Sequence, residues 1–208
     1  MKADPEMFYL ASKSPRRQEL LNQIGVRYTL LDVPPQDNTQ GDMIDETARP
    51  EEKAHEYVSR LACEKAECAW QFLLSRNLER HPVLTADTTV VIDSRILGKP
   101  TTRDEAIEML CLLSGKTHQV MTGVAVRNED GFLCHTVQVS DVTFAPLSFD
   151  SICAYTATAE PYDKAGGYGI QGRAGKFIQF IRGSYSGIMG LPLYETTGLL
   201  RKAGIFIP

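Results

Sequence analysis

Two long β-rich segments, residues 119–126 and 132–144, constrain the fold of this chain more than any other feature. They are separated by residues 128–131, Asn-Glu-Asp-Gly, a composition that is typical of a turn. Consecutive strands joined by a short turn are expected to pair side by side in antiparallel orientation. The chain is therefore expected to contain at least one antiparallel strand pair.

The first 33 residues predict a β-α-β unit. The apolar run 8–11 reads as a buried strand. Ser14 can cap a helix whose first turn accommodates Pro15, and Gly25 is a typical helix stop. Residues 26–33 then predict a second strand. A β-α-β unit combined with a β-hairpin predicts an α/β protein with a mixed sheet.

The remaining elements fit the same class. Residues 51–78 predict a long helix, and the strands 83–86 and 90–92 are expected to flank Asp87-Thr88-Thr89. Further expected elements are a loop over 34–50, helices over 102–113, 148–158 and 193–203, and a strand over 177–181. Residues 163–175 hold five glycines, too many for a helix. A chain of 208 residues fits one large domain, or two lobes that share a sheet.

Charge and cysteine content exclude several classes of protein. Lys plus Arg number 22 against 26 Asp plus Glu, so the net charge is −4 and general binding to nucleic acid is disfavoured. The five cysteines include no C-x-x-C pair, which disfavours a disulfide framework or a zinc site. The polar N-terminus resembles no targeting signal, and no apolar run is long enough to span a membrane. A cytoplasmic protein without a membrane partner is expected.

The first candidate site is the stretch 12–17, Ser-Lys-Ser-Pro-Arg-Arg, at a strand-to-helix junction. Free backbone N–H groups at a helix start attract anions. The hydroxyl of Ser12 and the guanidinium groups of Arg16 and Arg17 could then bind phosphate. The alternative is a capped helix with two solvated arginines.

The second candidate is Asp87, which we expect at the end of an apolar strand. A carboxylate at a strand end points into the crevice where α/β proteins bind ligands, and it could hold a metal ion or accept a proton from water. A plain Asp turn is the alternative. Lys99, twelve residues later, could reach a phosphate or could be an ordinary turn lysine.

Two further segments carry groups suited to a nucleotide. Asp45 and Glu46 in the polar loop could ligate Mg²⁺, although the loop by itself favours a solvated acidic pair. The glycine-rich stretch 163–172 permits close approach to a flat ligand, and Gln171 offers both a donor and an acceptor to a base edge. His118 is expected to orient a neighbouring side chain rather than to catalyse.

Eight short segments follow one another along the chain: LASKSPRRQELL from Leu10, IDET from Ile44, YVSRLACEKA from Tyr57, ADTTVV from Ala86, LGKP from Leu97, SGKTHQVMTG from Ser114, DKAGGYGIQG from Asp163 and GLPL from Gly190. In this order they resemble the Maf family of nucleoside triphosphate pyrophosphatases. The resemblance covers nearly the whole chain. It implies a single Maf-like domain over residues 1–208, with a bilobed, inosine-triphosphatase-like α/β fold, an elongated mixed β-sheet and a central cleft.

The resemblance also implies an activity and a set of site residues. Such an enzyme hydrolyses a nucleoside triphosphate to the monophosphate and pyrophosphate, uses a divalent metal (Mg²⁺ or Mn²⁺) and is commonly a homodimer. Asp87 matches the catalytic proton acceptor, and Glu46 the acidic position near the metal, with Asp163 as a further acidic group. The phosphate-handling positions are matched by Ser12, Arg17, Lys65 and Lys99. The loop before Ile44 is longer than the usual family spacing, so Asp37 competes with Glu46 for the acidic role.

Three positions resemble one branch of the family, the enzymes for dTTP, UTP and their modified relatives. These positions are Arg16, Thr88 and Gln171. The other branch, which acts on 7-methyl-GTP, carries different residues there. The resemblance to this branch therefore implies a pyrimidine nucleotide as substrate, including C5-modified ones. Two rivals are a purine pyrophosphatase of the inosine-triphosphate type and a non-catalytic, nucleotide-binding regulator of cell division.

Overall fold

Seven strands form one mixed sheet in the computed structural model, which describes residues 7–36 and 42–207. The strands are β1 (Met7–Leu10), β2 (Arg27–Leu30), β3 (Val83–Ile92), β4 (Arg95–Leu97), β5 (Thr117–Arg127), β6 (Leu133–Phe144) and β7 (Ile178–Arg182). Their order across the sheet is β2-β1-β3-β5-β6-β7, and β4 pairs with β3. Strand β1 is parallel to both β2 and β3, whereas the remaining pairs are antiparallel. The predicted α/β fold with a mixed sheet is confirmed.

Six helices pack on this sheet within the described residues. They are α1 (Pro15–Gln23), α2 (Ala54–Ser75), α3 (Arg103–Leu113), α4 (Phe149–Thr156), α5 (Tyr185–Met189) and α6 (Leu193–Lys202). Pro15 begins α1 as predicted, and Thr102 caps α3 by accepting a hydrogen bond from the backbone N–H of Glu105. The glycine-rich segment forms short 3₁₀ turns instead of an α-helix. Sequence reasoning missed the short elements β4 and α5.

Strand β3 differs from the prediction. The sequence suggested two strands separated by Asp87-Thr88-Thr89, but residues 83–92 form one continuous strand paired with β5 along most of its length. Thr88 and Thr89 are β-branched and fit an extended, half-buried backbone. The prediction that Asp87 lies at a strand end is therefore wrong, because it lies in the interior of β3.

The structure nevertheless provides an opening beside Asp87. Strand β1 accompanies β3 only as far as the pair Leu10 and Leu84, and β4 joins the same edge at the pair Leu97 and Val90. Between these points, and within the part of the chain that is described, residues 85–89 have β5 on one edge and no strand on the other. Asp87 therefore lies beside an interruption in strand pairing rather than at a strand end.

Two apolar clusters pack at opposite ends of the long strands β3 and β5. Leu84 and Val126 belong to the first, which α1 and α6 cover. Val90 and Val120 belong to the second, which is covered by α3, α4 and the glycine-rich segment. Between the two clusters, β3 presents Thr88 on the same face of the sheet, whereas Thr85 and Asp87 point to the other face.

The predicted loop over 34–50 contains no helix or strand in its described part. Asp37, the alternative to Glu46, lies outside the described residues. Of the helices over 7–36 and 42–207, none has both the length and the apolar composition needed to cross a bilayer.

Candidate active site

Helix α2 is fastened to β3 by a hydrogen bond that sets the geometry of the site. The hydroxyl of Thr85 donates to the backbone carbonyl of Ala62 at 2.7 Å. Side chains alternate along a strand, so Thr85 and Asp87 point to the same face. Residues three apart on a helix also share a face, which places Lys65 one turn beyond Ala62 and over Asp87.

A glycine allows the helix to come this close. Gly123 on β5 pairs with Asp87 across the sheet. A Cβ atom at Gly123 would lie only 2.4 Å from the backbone carbonyl oxygen of Val58 on α2. Any larger residue would push α2 outward. The absence of a side chain at Gly123 therefore allows α2, and Lys65 with it, to lie close to the sheet.

Lys65 joins the two acidic residues that the sequence singled out. Its Nζ lies 2.7 Å from Oδ1 of Asp87 and 2.5 Å from Oε1 of Glu46. The side chains of Lys65 and Asp87 are only 13% and 12% exposed, and that of Glu46 is 25% exposed. Burial acts to lower the pKa of Lys65, but the two carboxylates outweigh it and raise that pKa. Lys65 is therefore a charged partner shared by two carboxylates.

Arg17 organises a second set of groups next to the first. Its Nε donates to the carbonyl of Gly190 at 2.8 Å, and its other nitrogens donate to the hydroxyls of Ser12 at 3.0 Å and Thr88 at 3.4 Å. Burial lowers the pKa of Arg17, while the charges of Asp87 and Glu46 act in the opposite direction. Arginine keeps its proton at any physiological pH, so this group supplies a fixed positive charge.

Thr88 lies on the face of β3 opposite to Asp87, where a short relay of hydroxyls holds it. Its Oγ1 is 2.9 Å from Oγ1 of Thr122, which donates to the carbonyl of Gly187 at 2.8 Å. Sequence reasoning missed Thr122, although its β5 position pairs directly with Thr88. Asp87 and Thr88 thus present two chemically different surfaces around the open edge of β3.

An ion pair between Arg16 and Asp163 joins the start of α1 to the glycine-rich segment. Their side chains are 3.3 Å apart, and the ammonium of Lys164 also contacts Asp163. Burial acts to raise the pKa of Asp163, but the hydrogen bond from Lys164 and the positive charges of Lys164 and Arg16 lower it. Its side chain is 62% exposed. The structure therefore places Asp163 with two cations rather than with Glu46 and Asp87.

Lys99 and Gln171 are exposed on neighbouring loops. The two loops meet where the N–H of Gly166 donates to the carbonyl of Gly98 at 2.9 Å. Within the described residues, no hydrogen bond joins the Lys99 or Gln171 side chain to the Asp87 cluster. Ser12, Arg17 and Thr88 are thus assembled, as are Glu46, Lys65 and Asp87, whereas Lys99 and Gln171 face solvent.

Glu160 is another residue that sequence reasoning missed. Its carboxylate accepts hydrogen bonds from the backbone N–H of Arg173 at 2.9 Å and from the hydroxyl of Tyr155 at 3.2 Å. It occupies the space in which a side chain at Gly172 would lie. The loop that carries Gln171 is therefore held by a carboxylate and a glycine. The glycine-rich composition pointed to this loop, but it could not identify its anchor.

His118 is buried and its Nε2 lies 2.6 Å from the hydroxyl of Tyr168. Burial lowers the pKa of His118 to about 4, so the ring is neutral at physiological pH. This geometry agrees with the expectation that His118 orients a neighbour. Tyr168 follows the 3₁₀ turn Ala165–Gly167, so the contact stabilises the start of the glycine-rich loop.

The donor chemistry suits a hard divalent cation that arrives with phosphate. Mg²⁺ in nucleotide sites binds one or two carboxylates and completes its shell with water and phosphate oxygens. Glu46 and Asp87 supply two such carboxylates. Over the described part of the chain, no group of three or more His, Cys, Asp or Glu residues is gathered in a way that could hold a metal. The residues present fit a divalent cation only if it takes its remaining ligands from water or from a bound ligand.

Comparisons with known proteins show which sequences and structures this chain is similar to. Proteins named dTTP/UTP pyrophosphatase from Aromatoleum aromaticum, Burkholderia lata and Chromobacterium violaceum are 49%, 50% and 46% identical to it. These alignments cover 98%, 95% and 100% of this chain and 98%, 93% and 100% of the respective relatives. Among solved structures, the Staphylococcus aureus Ham1 protein has a TM-score of 0.44 and 15% identity, over 67% of this chain and 72% of that one. The family model for Maf-like proteins matches residues 7–203, and the chain therefore belongs to the Maf-like protein family.

Proposed function

We propose that this chain hydrolyses dTTP and UTP, and C5-modified pyrimidine relatives, to the nucleoside monophosphate and pyrophosphate. The observation that carries the proposal is the trio formed by Asp87, Lys65 and Glu46 at the open edge of β3. The full-length similarity to relatives named dTTP/UTP pyrophosphatase supports the choice of reaction and base.

The chemical step needs a water molecule at the α-phosphorus. In the proposed mechanism, Asp87 accepts a proton from that water as its oxygen bonds to phosphorus. The bond from the α-phosphorus to the bridging oxygen breaks, and pyrophosphate leaves with the bond's electron pair. Phosphoryl transfer depends chiefly on positioning and on stabilisation of negative charge, so the cations around Asp87 contribute as much as the base does.

Four residues are proposed to hold the triphosphate: Ser12, Arg17, Lys65 and Lys99. Arg17 is the most firmly oriented of them, because the carbonyl of Gly190 fixes its Nε. Its remaining N–H groups point to hydroxyls that a phosphate oxygen can replace as acceptors. Lys99 is exposed and is proposed to approach the phosphates from the solvent side.

Glu46 and Asp87 are the proposed ligands of a divalent cation, Mg²⁺ or Mn²⁺. When bound, such a cation supplies Lewis-acid stabilisation of the phosphate charge. Lys65 already occupies one oxygen of each carboxylate. In the proposed site, each carboxylate therefore binds the ammonium through one oxygen and can bind the metal through the other. Participation of Asp163 in the acidic site stays a prediction, and Asp163 contacts Arg16 at the start of α1.

Arg16, Thr88 and Gln171 are proposed to select the base. Gln171 can present both a donor and an acceptor to the uracil edge. Thr88 is fixed by Thr122, which gives it a defined orientation. A mismatched base edge would leave such polar groups unpaired, at about 1–3 kcal/mol for each buried group.

At a larger scale, we propose that residues 1–208 form one domain with two lobes around a single cleft. The two apolar clusters at the ends of β3 and β5 support this division. We further propose a homodimer that acts in the cytoplasm on nucleotides, without nucleic-acid or membrane partners. The net charge of −4 supports the exclusion of general nucleic-acid binding.

Hydrolysis in ¹⁸O-labelled water tests the proposed reaction. Attack at the α-phosphorus places the label in dTMP and leaves the pyrophosphate unlabelled. Label in the pyrophosphate would contradict the proposed site of attack. Nucleotide binding without turnover, in the presence of Mg²⁺ or Mn²⁺, would instead favour the non-catalytic regulator. Preference for an inosine-type purine would favour the other rival.

A further inference from the structure

Glu46 lies on a segment, residues 44–53, that has neither a helix nor a strand to hold it. Yet its carboxylate has to meet Lys65 on α2 at a defined distance. The hydroxyl of Tyr57 on α2 donates to the carbonyl of Glu46 at 2.9 Å. Side chains of α2, rather than backbone pairing, therefore fix this segment.

Arg60 makes most of these connections. Its Nε and one terminal nitrogen donate to the two carboxylate oxygens of Glu52 at 2.6 and 2.8 Å. The same terminal nitrogen donates to the carbonyl of Thr47 at 3.2 Å, next to Glu46. The other terminal nitrogen donates to Glu64, one turn further along α2, at 3.0 Å. A single guanidinium thus binds the segment at Thr47 and Glu52 and is held in place by Glu64 of its own helix.

Burial makes this arrangement rigid. The side chains of Arg60 and Glu52 are only 12% and 9% exposed. Hydrogen bonding to Arg60 is the main reason that the pKa of Glu52 falls to about 2, so the pair is ionised over the whole physiological range. Glu52 also accepts the backbone N–H of Arg49 at 3.0 Å, which fastens the middle of the segment.

We propose that Arg60 is a positioning residue that sets the place of Glu46 beside Lys65 and Asp87. It touches none of the three, and acts through Thr47 and Glu52. The expected effect of Arg60 on metal binding rests on the function proposed above. Its effect on the conformation of residues 44–53 does not depend on that function. Lysine could not replace it, because an ammonium lacks the planar fork that bonds both oxygens of Glu52 and a carbonyl together.

The chain offers a control pair that also involves α2. Arg127, the last residue of β5, donates to Glu67 of α2 at 2.9 Å, and its side chain is 14% exposed. The two pairs share their chemistry and the burial of the arginine, whereas Glu67 is 46% exposed and Glu52 only 9%. The Arg127 pair is formed by residues outside the segment 44–53. Arg127→Gln should therefore reproduce a general loss of stability without disturbing Glu46.

Hydrogen exchange tests the positioning itself. In Arg60→Gln and Arg60→Lys, the hydrogen-bonded amides of Thr47, Arg49 and Glu52 should exchange about 10-fold faster or more than in the wild type, since locally freed amides exchange without global unfolding. Arg127→Gln should leave these amides unchanged. Unchanged exchange of these amides in both Arg60 variants would overturn the proposal, whatever reaction the chain catalyses.

Binding of Mn²⁺, followed by electron paramagnetic resonance, tests the link to Glu46. The probe is Mn²⁺ with a dTTP analogue whose α–β bridging oxygen is replaced by NH. Arg60→Gln should weaken Mn²⁺ binding about 5-fold or more, and Arg127→Gln should not. The loss should vanish in a Glu46→Gln background, because residues that act through one another are not additive. An equal Arg60→Gln effect with and without Glu46 would contradict the proposal. Absence of Mn²⁺ binding by the wild type would refute the proposed metal role, and the exchange result would still decide the role of Arg60.

Discussion

The ammonium of Lys65 lies 2.7 Å from the carboxylate of Asp87, and Glu46 lies 2.5 Å from the same ammonium. A helix, a strand and a loop each contribute one member of this trio. All three side chains are mostly buried, so the balance of one positive and two negative charges is poorly screened by solvent. The arrangement predicts how the chain responds when one member is changed.

Asp87→Asn should lower the turnover of dTTP about 10²–10⁴-fold while leaving the fold intact, because it removes the proposed proton acceptor. Steady-state pyrophosphate release gives the rate, and circular dichroism checks the fold. Asp141→Asn is the control, since Asp141 also pairs with a cation, Arg182, but on β6 away from the trio. Near-normal turnover by folded Asp87→Asn would rule out its catalytic role.

Lys65→Met should destabilise the protein by on the order of 3 kcal/mol, because two partly buried carboxylates lose their shared cation. The pKa of Lys65 is raised in the folded state, so its stabilising charge is fully present below its unfolded pKa and is lost only as pH rises through the folded value. The destabilisation should therefore be constant from pH 6 to 9. Urea unfolding measures it.

Mn²⁺ provides a second readout for the same variant. A divalent cation can replace the missing ammonium between Glu46 and Asp87, so Mn²⁺ should raise the melting temperature of Lys65→Met more than that of the wild type. Lys116→Met, which removes an exposed lysine near Asp93, is the matched control. Identical Mn²⁺ effects in all three proteins would argue against a cation site at these carboxylates.

Gly123→Ala should reduce both stability and turnover. The added Cβ would meet the carbonyl oxygen of Val58 at 2.4 Å, so α2 has to move away from β5 and take Lys65 with it. Overpacking of this kind typically costs about 1–3 kcal/mol. Gly198→Ala on α6 is the control, because nothing lies within 4 Å of its added Cβ. If Gly123→Ala matched Gly198→Ala in melting temperature and rate, the close packing of α2 would not matter.

Because His118 is buried, we expect the stability of the folded protein to fall in acid. The pKa of His118 is lowered to about 4 by burial, so below about pH 6.5 the unfolded chain takes up a proton that the folded chain does not. Stability is therefore lost as pH falls from 6.5 towards 4, by about 2 kcal/mol between pH 7 and 5. His118→Gln, which can still bond to Tyr168, should lose that much less over the same interval in urea unfolding. Equal losses in both proteins would contradict this explanation.

The sequence predicted the larger elements because they depend on local patterns. Pro15 and Gly25 mark the ends of the α1 region, and the turn at 128–131 marks the hairpin. The strand break expected at Asp87 was wrong, because the polar residues 87–89 also pair with β5 and so remain part of β3. Local composition does not reveal which edge of a strand is paired, so the gap beside residues 85–89 could not be predicted.

The site was predictable where residues share a short motif and not where they meet through packing. Ser12 and Arg17 lie five residues apart and were singled out together. Lys65 was predicted as a site residue only from the resemblance to the Maf family. A lysine on a long helix would otherwise be expected to face solvent. Arg60 and Glu52 were missed for the same reason. Their burial depends on how the loop over 44–53 folds against α2, which no local pattern encodes.

The most direct test of the proposed function is the rate of pyrophosphate release from a panel of nucleoside triphosphates, with Mg²⁺ or Mn²⁺ and without either. We expect metal-dependent cleavage of dTTP and UTP at a kcat/KM at least about 30-fold above that for dATP, dGTP and 7-methyl-GTP, because two unpaired polar groups penalise the wrong base. Equal rates on purine and pyrimidine triphosphates would contradict the proposed base selection. Failure to release pyrophosphate from any of them, with either metal present, would contradict the proposed activity itself.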